Sequence, residues 1–297
     1  NRSNASSEVE FRGAWARMVG EEGRGVPTII EMVNHTRLDC ALGSATGMRA
    51  GVAMAIHHCR HRSTFGRVLI EAPLMQNVLA DLAIESEAAT ISALRLARAY
   101  DEAEQRPADS SASRPGSAGS AEQAQSFKRI ANAVLKYWIC KRGPAHAVEA
   151  LECLGGNGYV EESGMPRLYR ETPLASIWEG SGNVQCLDVL RALAKSPQSL
   201  DAYFAEVGEA AGADRRLDQA AAELREELAD FDAIEARGRR VVEGMALVLQ
   251  GSLLVRFGDP AVADAFCASR LGGDAGRAFG TLPAGVDFAR IIERHAP

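Results

Sequence analysis

Several signatures of common chemistry are missing from this 297-residue chain. It has no Walker loop, no GxGxxG following a strand, no HExxH and no GxSxG, so the motif-borne routes to NTP hydrolysis, Rossmann dinucleotide binding, zinc proteolysis and serine hydrolysis are all absent. No apolar run reaches the roughly 18 residues a membrane helix needs, and no membrane span is expected. The six cysteines (Cys40, Cys59, Cys140, Cys153, Cys186, Cys267) include no CxxC pair. That excludes a zinc site built from four cysteines and favours buried free thiols in a reducing, cytoplasmic setting. His57 and His61 flank Cys59, but no second ligand cluster completes a site, so no metal is expected. Aromatic residues make up only 6% of the chain while alanine is abundant, which favours packed helices over a β-sandwich. Lysine disappears after Lys195: residues 196–297 hold 11 Arg against 17 acidic side chains, so the whole net charge of −6 sits there. A chain built chiefly to coat nucleic acid would carry the opposite sign.

What is present is helical periodicity. After a segment around Val9, Phe11, Trp15 and Met18 that reads as one short strand pair at most, Gly20 to Pro27 breaks the chain. Apolar and small residues then recur at three- and four-residue steps from Thr28 to about His61, with Gly43, Gly47 and Gly51 on one face. Glycine costs about 1 kcal/mol against alanine inside a helix, so close approach of another helix is the expected compensation. A second long helix is predicted from Pro73 to Glu104. Residues 105–123 dissolve into Pro, Ser, Ala and Gly and are expected to form a flexible loop. A third helix is predicted from Ala124 to Leu154, interrupted or kinked at Pro144 and ended by Gly155-Gly156-Asn157-Gly158. A short irregular piece follows, then Ser176 to Lys195 reads as a loop feeding a fourth helix. Pro197 begins a second helical block, with Leu217 to Leu253 amphipathic along Leu217, Ala221, Leu224, Leu228 and Phe231. The expected fold is all-α: a four-helix bundle over 26–195, an appended helical domain over 196–297, and a short β remnant in 1–25.

Three local constellations are candidates for chemistry, and each has two readings. In Ile177-Trp178-Glu179-Gly180-Ser181-Gly182-Asn183 the carboxylate is either a desolvated general base or an exposed acid at a helix start. Leu154-Gly155-Gly156-Asn157-Gly158-Tyr159 either lets a ligand approach the backbone closely or simply terminates a helix. In His61-Arg62-Ser63-Thr64-Phe65-Gly66-Arg67 the Arg62 fork suits a phosphate, or is an ordinary solvated arginine at a helix–helix corner.

Taken together and in order, these segments resemble the C-terminal half of an acyl-CoA dehydrogenase. The resemblance runs over residues 7–195, from Val9-Glu10-Phe11 through Asn34-His35-Thr36-Arg37, Arg62-Ser63-Thr64-Phe65-Gly66 and Leu154–Tyr159 to Trp178-Glu179-Gly180-Ser181. The block after Pro197, and the run Ser176–Asn183, resemble the AidB-like subfamily induced in the adaptive response to DNA alkylation. The resemblance implies that Glu179 removes the α-proton of an acyl-CoA while a β-hydride passes to N5 of FAD. It implies Arg62, Ser63, Thr64, Phe65, Glu152, Leu154, Gly155, Gly156, Ser181 and Asn183 as cofactor-binding residues, and Asn34, Arg37, Trp178 and Gly180 as substrate-binding ones, with Arg37 meeting the CoA portion. It further implies a flavin shared between subunits in a dimer of dimers, with an electron-transferring flavoprotein as acceptor.

This sequence departs from the family's pattern at several points. Trp178 stands where Tyr is usual, Ser181 where Thr is common and Glu152 where many members have Gln, and Pro73 replaces a polar residue. The chain opens Asn1-Arg2-Ser3-Asn4 without methionine or a visible targeting peptide and reads as a fragment, because the family's N-terminal helical domain and most of its middle β-domain have no counterpart here. If residues 1–297 are the whole protein, weak flavin affinity and little turnover are expected. Two other functions compete: a DNA-associated alkylation-response protein, which the acidic C-terminal block disfavours, and a helical scaffold without catalysis.

Overall fold

A computed structural model describes residues 4–104 and 117–297. Helix α1 (Gly25–His61) is followed by a two-residue hairpin, β1 (Ser63–Thr64) against β2 (Arg67–Val68), and then by α2 (Pro73–Glu104) and α3 (Ser117–Glu152). Short helices α4 (Gly156–Tyr159) and α5 (Met165–Ala175) lead into α6 (Gly182–Lys195). The C-terminal part holds α7 (Gln198–Gly208), α8 (Arg215–Ala229), α9 (Ile234–Phe257), α10 (Pro260–Phe266), a π-turn over Cys267–Leu271, and α11 (Phe288–Glu293). Proline at the first position of α2 uses a site whose N–H would lack a partner anyway. Asp214 caps α8 by accepting from the Arg216 and Leu217 amides, and Asp259 caps α10 at Ala261.

Helices α1, α2, α3 and α6 form the expected bundle, though α6 has only 14 residues. Leu38, Leu96, Ile130, Val134 and Val189 belong to one apolar cluster that continues into Tyr203, Leu224 and Leu249 of the C-terminal helices. At the other end Ile56, Leu82, Ala150 and Met165 share a second cluster with Leu254, Phe266 and Ile291. The apolar core therefore runs across Pro197 without interruption. A charged joint reinforces it: Arg270 reaches from the π-turn to Asp81 and Glu85 of α2, and Arg142 of α3 forks onto Glu85 at 3.0 and 3.1 Å. All six cysteines are buried free thiols.

Several expectations are corrected. Val9-Glu10-Phe11 forms no strand: residues 4–24 contain neither helix nor strand, and Phe11 and Trp15 are 82% and 88% exposed. A lone strand leaves its backbone groups unpaired, and among the described residues none makes a backbone hydrogen bond with Val9–Phe11. The only sheet among the described residues instead folds tightly around Phe65-Gly66, both at positive φ. Helix α3 begins at Ser117, inside the stretch expected to be a loop; the remainder of that stretch, 105–116, lies outside the described residues. Helix α3 runs through Pro144 without the interruption expected there as one of two outcomes, and the piece expected to be irregular contains α5. The amphipathic run from Leu217 is two helices, broken at Asp230–Ala233, where Ala233 adopts φ +52° and Phe231 is exposed. The glycine stripe on α1 serves two purposes. A Cβ on Gly51 would sit 3.3 Å from Ala150, the close approach expected, whereas one on Gly43 would meet nothing within 4 Å.

Candidate active site

The turn between α5 and α6 is held from beneath. Ile177 and Trp178 still donate to the Leu174 carbonyl as the helix ends. The backbone then turns left-handed at Glu179 (φ +58°) and Gly180 (φ +99°). A non-glycine residue at such a φ costs on the order of 1–3 kcal/mol and persists only where the surroundings fix it. Here three side chains do so by binding consecutive carbonyls. Lys136 Nζ donates to Trp178 O at 2.9 Å and Gly180 O at 2.6 Å. Gln185 Nε2 donates to Glu179 O and Gly180 O at 2.9 and 3.0 Å. Arg37 Nε donates to Glu179 O at 3.1 Å. Gly180 is required, since a Cβ there would lie 2.8 Å from both Gln185 Nε2 and Val184 Cγ1.

The half-buried Glu179 and the ring of Trp178 lie on one wall of a groove of about 460 Å³. Its floor is α1 at Cys40, Gly43 and Gly47, and its far side is α5 at Leu168 and Leu174. The groove is predominantly apolar, with Asp39 and Glu171 as further carboxylates along it. Burial pushes the Cys40 thiol up and pulls the Lys136 ammonium down. Among the described residues the N–H groups of Glu179, Gly180 and Ser181 have no acceptor. With trans peptides throughout, each N–H points opposite to the carbonyl that precedes it. The anchored carbonyls thus turn these donors away from Lys136 and Gln185.

Arg37, expected to meet the CoA portion, lies beneath the turn. It is 8% exposed and pairs with Asp188 at 2.8 Å, and Asp188 also binds Arg129 at 3.0 Å. Asn34 faces inward as well: its side chain accepts from Arg37, and its backbone carbonyl accepts from Tyr100 Oη at 2.7 Å and Asn132 Nδ2 at 3.0 Å. Both residues support the turn. Sequence reasoning missed Lys136, Gln185 and Asp188. The one available signal was a lysine inside the apolar run Ile130–Cys140.

The remaining candidates fall in two places. Arg62, Thr64, Glu152, Leu154, Gly155 and Gly156 come together around a cavity of about 450 Å³ at the end of the bundle. Ser63 pairs with Val68 in the hairpin, and Phe65 at its tip is fully exposed. Gly155 stands at φ +58°, and a Cβ on it or on Gly156 would meet nothing within 4 Å, so a ligand can reach the backbone there. Ser181 and Asn183 lie beside Glu179 instead, at the start of α6, where Asn183 Oδ1 accepts from Arg239 Nε at 2.9 Å. An arginine fork, a hydroxyl and open glycine backbone suit a phosphate-bearing group in the first cavity, and the Glu152 carboxylate is the one member that opposes it. Among the described residues, no group of three His, Cys, Asp or Glu side chains is placed to hold a metal ion, and no helix is long and apolar enough to cross a membrane.

Comparison with known proteins identifies the family and the fold. Residues 23–194 match the C-terminal domain of acyl-CoA dehydrogenases. AidB of Escherichia coli (strain K12) is 42% identical over 267 residues, 90% of this chain and 46% of AidB. Acyl-CoA dehydrogenase family member 11 of Caenorhabditis elegans is 30% identical over 72% of this chain and 33% of its own length. The crystal structure of C. elegans ACDH-11 in complex with C11-CoA superposes with a TM-score of 0.76 at 25% identity, over 85% of this chain and 45% of that one. An acyl-CoA dehydrogenase from Bacillus anthracis complexed with FAD shares the fold, with a TM-score of 0.61 at 17% identity over 93% of this chain and 50% of that one. The chain spans less than half the length of these two curated relatives. On the domain match and the AidB identity together, this chain belongs to the acyl-CoA dehydrogenase family, with residues 23–194 as the C-terminal helical domain.

Proposed function

We propose that the chain is the C-terminal part of an FAD-dependent acyl-CoA dehydrogenase in which Glu179 is the base. The observation that carries this reading is the placement of Glu179, a half-buried carboxylate on a left-handed turn at the wall of an apolar groove. The α C–H of a thioester is a weak acid. Its removal needs a carboxylate held against the α-carbon and donors for the charge that develops on the thioester oxygen. Glu179 supplies the first, and the acceptor-free N–H of Glu179, with that of Gly180 beside it, supplies a donor. The apolar groove accommodates the acyl chain along α1, with Trp178 on its wall and Gly180 next to the base.

FAD, when bound, supplies the two-electron acceptor for the β-hydride at N5. Arg62, Ser63, Thr64 and Phe65, with Glu152, Leu154, Gly155 and Gly156, would hold its dinucleotide portion, and Ser181 and Asn183 would meet the cofactor beside the base. These groups line separate regions of the chain, which supports a flavin shared between copies in a dimer of dimers. An electron-transferring flavoprotein completes the proposed cycle.

The DNA-associated reading gains little from the C-terminal block. Arg216 binds Asp214 and Asp264, Arg237 and Arg240 bind Glu227, and Arg239 binds Asn183, so most of its clustered arginines are already neutralised or engaged. The test of the enzymatic reading is to add excess FAD, desalt, and follow the flavin band on adding an acyl-CoA. In the enzyme of which this chain is the proposed C-terminal part, wild type is expected to bleach and Glu179→Gln to retain the band unbleached. Equal bleaching in both would remove Glu179 from its role.

A further inference from the structure

We propose that Lys136 is a positioning residue for the reacting carboxylate: its buried ammonium holds the Trp178 and Gly180 carbonyls inward and thereby presents Glu179 and the neighbouring N–H donors to the groove. The inference rests on the reading of Glu179 as the base.

Lys136 is 1% exposed, in the middle of α3, with Leu135 and Ile139 on the same helix fully in the core. Among the described residues no carboxylate lies within ion-pair distance of it. Burying an ammonium without a counter-charge is among the costlier things a core can do, and a methionine at this position would fill the space without that cost. The carbonyls that Lys136 serves do not require it for their own hydration. The turn is at the surface, with Trp178 41% exposed and Ser181 exposed, so water is available to carbonyls that face out. The desolvated charge therefore fixes a direction. Two carbonyls one residue apart on either side of Glu179 converge on a single Nζ, at 2.9 and 2.6 Å, which clamps the peptide planes entering and leaving the glutamate. Gln185 and Arg37 take the intervening Glu179 carbonyl from the α6 and α1 sides, so every plane of the turn is fixed. The other groups facing Lys136 are the Cys40 and Cys140 thiols, the Glu179 carboxylate and the Arg37 guanidinium. A charge-assisted bond to a carbonyl is about twice as strong as a neutral one, which suits a lysine to holding a strained φ.

The test compares Lys136→Met, Lys136→Arg and Glu179→Gln in the full 297-residue chain with FAD added. The first readout is backbone hydrogen exchange at Ile177, Trp178 and Gln185, whose amides are bonded at the two ends of the turn, with Leu217–Leu228 of α8 as an internal reference. The second is the rate of α-proton exchange of butanoyl-CoA in D2O. Lys136→Met is expected to speed amide exchange at the turn about tenfold or more while α8 is unchanged, and to lower the α-exchange rate constant about 100-fold with KM little altered. Lys136→Arg, which keeps the donors, is expected to recover most of both. Unchanged amide exchange at the turn in Lys136→Met, or equal acceleration in α8, would overturn the proposal. If Glu179→Gln leaves α-exchange unaffected, the base assignment fails on its own, and the amide measurement still decides whether Lys136 fixes the turn.

Discussion

Arg37 and Glu179, 142 residues apart in sequence, are joined side chain to backbone: the Arg37 Nε donates to the Glu179 carbonyl at 3.1 Å while its Nη1 pairs with Asp188 at 2.8 Å. One guanidinium thus ties α1, α6 and the reactive turn together, and Asp188 returns the charge with Arg129 on its other oxygen.

Replacing Arg37 by Leu should therefore act on stability and on the site at once. It leaves a largely buried Asp188 with only the half-exposed Arg129, and breaking such a pair costs about 3–5 kcal/mol. Urea unfolding measures the loss. Arg37→Leu combined with Asp188→Leu should recover part of it, because no unpaired carboxylate remains. A double variant no better than the single one would show that the pair's charge is not what matters.

Arg270 is predicted to be a comparably severe position for the fold. Its guanidinium is the bond between the π-turn after α10 and two α2 carboxylates, Asp81 and Glu85, whose side chains are 3% and 5% exposed. Arg270→Met leaves Asp81 with only the Gly280 N–H at 2.9 Å. A loss of about 3–5 kcal/mol in urea unfolding is expected. A cost below about 1 kcal/mol would mean that apolar packing alone holds the C-terminal helices to the bundle.

The same region sets the acid limit. Burial pulls the His146 imidazole down to about 4, partly opposed by its bond to the Leu82 carbonyl at 3.0 Å and by Glu85. Between pH 6.5 and 4 the unfolded chain therefore takes up a proton at this position that the folded chain refuses. Stability is full above about 6.5 and falls by about 3 kcal/mol on the way to about 4. Glu85 adds a lower step. Burial raises its carboxyl, but Arg142 and Arg270 outweigh that and hold it at about 2, so its contribution persists above 4.5 and disappears as pH falls through 2. Unfolding free energies of wild type and His146→Gln should converge as pH falls from about 7 to about 4. Parallel curves would contradict this assignment.

How much of this was legible in the sequence depends on the range of the interaction. The bundle helices follow from local periodicity, and the Trp178-Glu179-Gly180 and Leu154–Gly158 motifs pointed to segments that the fold places at two cavities. The resemblance singled out Arg37 but not its partner, because an arginine on a helix carries no mark of the aspartate that neutralises it 151 residues later. Lys136 read as one polar residue in an apolar run, since its partners are backbone carbonyls, which no side-chain pattern reveals. The strand expected at Val9-Glu10-Phe11 had β-forming residues, but strand formation needs a neighbouring strand, and that is non-local. The C-terminal helices were read as a separate block because Pro197 and the charge change are local marks, whereas the core that crosses them is tertiary.

The most direct measurement of the central claim is deuterium incorporation at the α-carbon of butanoyl-CoA in D2O, followed by proton NMR, in the FAD-supplemented chain and its Glu179→Gln variant. The base breaks the C–H bond, exchanges its proton with solvent and returns a deuteron, so no net oxidation is required. Exchange in wild type that drops by about 100-fold or more in the variant, with its hydrogen-exchange pattern unchanged, is the result predicted. Equal rates in the two proteins would show that the carboxylate at the groove is not the base.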